Sequence, residues 1–137
     1  MSINSELKME QVSATTIIEK SQKTSLAKLL YVITSTAIKD LESVNQFLPA
    51  HFEYLHSLET QGTLFGAGPL FSEDGEYFAG NGMIIIRAES VTAAKAIADR
   101  DPLHQNQVRE YQIQPWLLNE GSINISVSYS NTQTKIN

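Results

Sequence analysis

His51 is the side chain of this sequence best equipped to move a proton. Val44, His51 and Leu58 recur at intervals of seven, so on a continuous helix the imidazole lies within about 20° of two apolar neighbours. A titratable ring is thereby turned toward a core. It serves there either as a packed histidine satisfied by a backbone carbonyl or as a general base, and the residues alone favour the packed histidine. Asp101, ahead of Pro102, offers a similar choice. Asp-Pro is a common way to leave a helix, and a carboxylate in that place is also suited to hold one nitrogen of a histidine. His56 points about 140° away from His51 and is expected outside. Two histidines five apart do not share a helical face, so no metal site is expected. Gly66-Ala67-Gly68 falls short of a dinucleotide loop, because Phe71 stands where a third glycine is needed and a strand continues where a helix should begin. No cofactor is expected. His104 is read as an exposed loop histidine. On the last core strand Tyr111 and Trp116 are expected to pack and Arg109 to be solvated.

These residues need elements to hold them. Leu29-Leu30-Tyr31-Val32-Ile33-Thr34 is apolar, β-branched or aromatic, and reads as a buried strand. The following helical segment ends near Gly62; its Pro49 requires that the helix proper begin there or kink there. Residues 63–71 read as a second strand, 72–77 as a polar turn around Asp74-Gly75, and Gly80-Asn81-Gly82 as a flexible lead-in to a third strand at 83–87. Ser90 suits an N-cap for a second helix over 91–100, closed by Pro102. Residues 108–118 form a fourth strand, and Ile123, Ile125, Val127 and Tyr129 alternate with polar residues as a further, half-exposed one. The order β-α-β-β-α-β is the split pattern of a ferredoxin-like α+β fold, with both helices on one face of an antiparallel sheet. The other face is too apolar to be left open, so a second copy of the chain is expected to cover it.

Composition narrows the function. The net charge of −5 and the scattered ten Lys and Arg exclude a basic track for nucleic acid or anionic lipid. The absence of cysteine removes thiolate catalysis, disulfides and thiolate metal sites. No apolar run approaches the roughly 20 residues of a membrane helix, and the acidic N-terminal residues do not read as a signal peptide, so a cytoplasmic protein is expected.

Several motifs occur in an order that resembles the YCII-like domain. They are Pro49-Ala50-His51-Phe52-Glu53-Tyr54-Leu55, Gly62, Gly68-Pro69-Leu70, Asp74-Gly75, the run Ala98-Asp99-Arg100-Asp101-Pro102-Leu103, and Pro115-Trp116. One departure is Leu48, where that family often carries a basic residue. The resemblance divides the chain into a polar extension (1–27), a YCII-like domain (28–121) and a terminal strand with a tail (122–137). It implies a dimeric ferredoxin-like α/β barrel. It further implies a His51 and Asp101 pair in one pocket with Gly68, Pro69 and Trp116 against the substrate. The activity implied is cofactor-independent proton abstraction from a small cyclic substrate, of the dehydrochlorinase (lyase) or isomerase type. The competing expectation is a non-catalytic module that binds a small molecule or assembles oligomers, its terminal strand adding to a neighbouring sheet to build something larger than a homodimer. An enzyme needs a closed cavity at His51 with the pKa of that ring displaced, whereas a module needs only a filled core there.

Overall fold

The computed structural model describes residues 10–137, so the first nine residues of the expected extension, Leu7 among them, lie outside the described residues. The chain forms two compact units. One runs from Leu29 to Leu117; the other comprises, among the described residues, 10–28 and 118–137.

The larger unit holds the ferredoxin-like arrangement. Its strands are β1 (Lys28–Ala37), β2 (Leu64–Phe71), β3 (Phe78–Ile86) and β4 (Arg109–Leu118), in the spatial order β2-β3-β1-β4. β3 runs antiparallel to both β1 and β2. Alternation along β1 turns Tyr31, Ile33 and Ser35 to one face, and the register sets them opposite Ile86, Ile84 and Gly82. That face is the core side: Tyr31, Ile33, Ile84 and Ile86 are buried with Ala94 and Ala98 of the second long helix, and Leu55 of the first packs against them. The two long helices therefore cover one face of the sheet, as the order of elements requires.

The first helical segment is two helices, α2 (Leu41–Asn45) and α3 (Leu48–Thr60). Asp40 caps α2, accepting from the Ser43 N–H at 2.8 Å. The break at Gln46-Phe47 lets α3 start afresh with Pro49 in its first turn, where a missing N–H costs nothing. His51 consequently belongs to the first turn of α3, with its own N–H bonded to the Phe47 carbonyl at 3.0 Å. Helix α4 (Val91–Asp99) begins as the sequence indicates, with the Ser90 hydroxyl accepting from the Ala93 N–H at 3.0 Å. Pro102 does not merely close it. Pro102 opens a further short helix, α5 (Pro102–Gln105), because proline is preorganised for a first turn and Asp101 supplies the cap.

Two other expectations change. Gly80-Asn81-Gly82 lies inside β3 rather than ahead of it, and Gly80 adopts φ +86° beside a register shift between β2 and β3. A side chain at Gly80 would meet the Ala37 Cβ at 2.9 Å, so glycine is needed both for the left-handed backbone and for the close approach. The last strand is shorter than the alternation suggests and has a partner in the tail: β5 (Ile125–Val127) pairs antiparallel with β6 (Thr134–Ile136). A turn over 128–133 joins them, held by the Thr132 N–H on the Ser128 carbonyl and the Gln133 N–H on the Asn131 side chain. In the same smaller unit the polar N-terminal segment carries helix α1 (Ala14–Ser21), and Asn119 donates to the Ser21 hydroxyl at 3.2 Å.

Candidate active site

Helix α3 presents a continuous stripe to a cavity. Leu48, His51, Phe52, Leu55, His56 and Glu59 recur at intervals of three and four and line one side of it. The opposite wall is sheet: Leu64, Ala67 and Pro69 of β2, the last two in register with Ile84 and Gly82 of β3. The space measures about 660 Å³, within the usual range for a small-molecule site. Gly68 and Pro69 line it, as does His51. His56 is exposed, as expected, and stands on the same lining.

Asp101 is brought to His51 across fifty residues of sequence. The Nδ1–H of His51 donates to both carboxylate oxygens, at 2.8 and 2.9 Å. The carboxylate is fixed independently, since Oδ1 also accepts from the Leu103 N–H at 3.0 Å as the cap of α5. Helix capping and the hold on His51 are thus the work of one group. The side chain of Asp101 is 3% exposed and that of His51 12%. With Nδ1 engaged as a donor, the neutral ring carries its lone pair on Nε2, and that nitrogen has no protein partner among the described residues.

Two neighbours that the sequence reading set aside belong here. His104 is half-buried on α5 and not a loop residue: its Nδ1–H donates to the Ala98 carbonyl at 2.7 Å, and its Nε2 shares a hydrogen bond of 2.8 Å with the Ser35 hydroxyl. Arg109 is buried rather than solvated, and lines the cavity. It stands on β4 yet reaches past β1 to donate through Nη1 to the Gly80 carbonyl of β3 at 2.6 Å, touching the Ser35 carbonyl at 3.3 Å on the way. Burial holds its pKa below the ordinary value, an effect opposed by the nearby charge of Asp101. The signal for Arg109 was present in the sequence, since Arg109, Tyr111 and Ile113 share a parity and the last two pack against the core. Tyr111 donates to Asp99 at 2.6 Å, and burial together with that acceptor pushes its hydroxyl up to about 12, so it stays protonated.

Trp116 is not brought to the cavity. It lies an odd number of residues beyond Arg109 on β4, so strand alternation turns it from the face that Arg109 occupies, and it is 39% exposed. Among the described residues no cluster of acids and histidines is arranged to hold a metal ion. No helix among them is long and apolar enough to cross a membrane.

A family model described as the YCII-related domain matches residues 29–117. No curated protein matches the chain. Among solved structures the chain is similar to the 5-chloro-2-hydroxyhydroquinone dehydrochlorinase of Burkholderia phenoliruptrix, solved in complex with 2,5-dihydroxybenzoquinone. The two share 18% identity with a TM-score of 0.55, over 64% of this chain and 92% of that one. At that identity the likeness is one of fold.

Proposed function

The chain belongs to the YCII-related domain family, and from that premise we propose that it is a small enzyme, working without a cofactor, in which His51 takes a proton from a small cyclic substrate. The observation that carries the reading is the His51–Asp101 contact at the edge of the cavity. A histidine that only packed would border other side chains. Here the ring has one nitrogen fixed by a buried carboxylate and the other available to a ligand.

The chemistry follows from that geometry. Nε2 removes a proton from an activated carbon or hydroxyl, and the imidazolium that forms is stabilised by the Asp101 carboxylate on Nδ1. In an elimination the electron pair of the broken C–H or O–H bond builds a new double bond, and chloride departs with its own bonding pair. In an isomerisation the proton returns at another carbon and nothing leaves. Gly68 and Pro69 form the wall against which the ring lies. General base catalysis supplies about 10²–10⁴-fold, sufficient where the substrate is already activated by a conjugated oxygen. Support for a hydroxylated ring comes from the fold neighbour, a dehydrochlorinase solved with a dihydroxybenzoquinone.

A panel of chlorinated hydroquinones, hydroxyquinones and lactone acids tests the reading. At least one compound is expected to raise the melting temperature and to be consumed, with chloride release matching substrate loss in the chlorinated cases. A panel that neither stabilises the protein nor is consumed contradicts it.

The working form is proposed to be a homodimer. Val32, Met83 and Ile85 alternate with the core residues of β1 and β3, so they face away from the helices, and they remain only half-buried in the single chain. Sedimentation at twice the chain mass of 15.2 kDa is expected; a species at the single-chain mass contradicts it.

A further inference from the structure

Arg109 is a buried cation whose position the base chemistry does not explain. It is 9% exposed, and among the described residues it forms no ion pair. Nη1 is satisfied by two backbone carbonyls, those of Gly80 and Ser35, but Nε is buried without any partner among the described residues. The acid whose charge bears on it is Asp101, and the oxygens of Asp101 are already occupied by His51 and the Leu103 N–H. A guanidinium carries five N–H donors, and buried charges are ordinarily paired. This one borders the cavity instead.

The sheet makes room for it. Ser35 and Gly82 lie directly opposite one another in the β1–β3 register, and both are small. The side chain of Arg109 reaches across this pair from the neighbouring strand to the Ser35 and Gly80 carbonyls. A Cβ on Gly82 would sit 3.9 Å from Nη1, in ordinary contact, so glycine there leaves room beside the guanidinium. Pinning of β3 to β1 and β4 explains the bonds of Nη1. It leaves the unpaired charge and its place on the cavity wall without a purpose.

We propose that Arg109 is a specificity residue that makes this cavity prefer cyclic ligands bearing a negative oxygen, a carboxylate or an ionised ring hydroxyl, which supplies the guanidinium with its missing counter-charge. The proposal deepens the proton-abstraction reading and rests on that reading for the cavity's being a substrate site. It adds the class of substrate: an acidic ring compound, held by Arg109 while His51 acts elsewhere on it. Arginine suits the task because its planar fork matches a carboxylate or a pair of ring oxygens.

Benzoate and benzamide share a ring and differ in charge, and they are the probes. By calorimetry the wild-type protein is expected to bind benzoate at least about tenfold more tightly than benzamide. Arg109→Met is expected to erase that preference and Arg109→Lys to keep part of it. The chain has three arginines, so the Nε–H resonance of Arg109 is readily assigned in the wild-type protein. It is expected to shift with benzoate and not with benzamide, which keeps the proposal open to refutation if Arg109→Met does not fold. Equal binding of the two probes, no binding of benzoate at millimolar concentration, an unmoved Nε–H resonance, or a preference that survives in a folded Arg109→Met each overturns it. The two readings fail separately. If benzoate requires Arg109 but no panel compound is consumed, the anion site stands and the catalytic reading falls; if turnover requires His51 while benzoate ignores Arg109, the reverse holds.

Discussion

His51→Ala is expected to lower kcat/KM for any compound the protein consumes by about 10²–10⁴-fold while leaving a folded chain, because the variant deletes the base and little else. The ring borders a cavity and is not part of either buried cluster, so its removal widens an existing space instead of opening a hole in packed core. The backbone of α3 is untouched, and the first turn keeps Pro49 and the His51 N–H bond to Phe47 at 3.0 Å. What the variant does leave behind is a buried carboxylate with one donor fewer. Asp101 retains the Leu103 N–H, so the cost in stability is about 1–3 kcal/mol, visible in urea unfolding without preventing folding. A kcat/KM unchanged within a factor of three or so contradicts the assignment of His51 as base.

Asp101→Asn is expected to remove nearly as much activity at little cost in stability, and Asp101→Ala to remove both. Asparagine caps a helix about as well as aspartate, so the bond to the Leu103 N–H survives the first change. The charge does not survive it. An amide presents either an oxygen without charge or an NH₂ to Nδ1, and in the second case the ring proton moves to Nε2 and the base is lost. A drop in kcat/KM of about 10²–10⁴-fold is expected, with no comparable change in the urea midpoint. Alanine also deletes the cap, leaving the Leu103 N–H without its acceptor, and strands the Nδ1–H of His51, at about 1–3 kcal/mol each. Activity in Asp101→Asn equal to that of the wild type contradicts an orienting role for the carboxylate, whatever the alanine variant does.

Sheet and helix order were legible because β1, β3 and α4 carry clean local signals. The run 29–34 is β-branched and aromatic, the residues after Gly82 likewise, and Ser90 stands where a cap must stand. The site was legible only in part. His51 declares itself by its spacing, yet the interval Val44–His51–Leu58 assumes one helix where there are two, and the inward turn of Val44 comes from α2. Nothing local in the sequence joins residue 51 to residue 101. Their contact depends on α3 and α5 meeting at one end of the sheet, and it came into view through a family pattern before the geometry displayed it. Arg109 was misread because a charged residue at a strand end is usually solvated. Its burial depends on two small residues, Ser35 and Gly82, that become neighbours only through strand register. The C-terminal hairpin was missed for a related reason: Thr134–Ile136 is too short to show a period of two, and only its pairing with β5 makes it a strand.

The most direct test of the base is to see which nitrogen of His51 carries the proton. The chain has three histidines, and ¹⁵N spectra of histidine-labelled protein, assigned by single substitutions, distinguish the tautomers. With His51 as geometry and Asp101 require, Nδ1 is protonated and Nε2 is bare, and a ligand seated in the cavity moves the Nε2 signal. Asp101→Asn should then disturb that signal and no other histidine's to the same degree. A His51 protonated on Nε2 with Nδ1 bare, or an Nε2 signal unmoved by a ligand that does bind, contradicts His51 as the base.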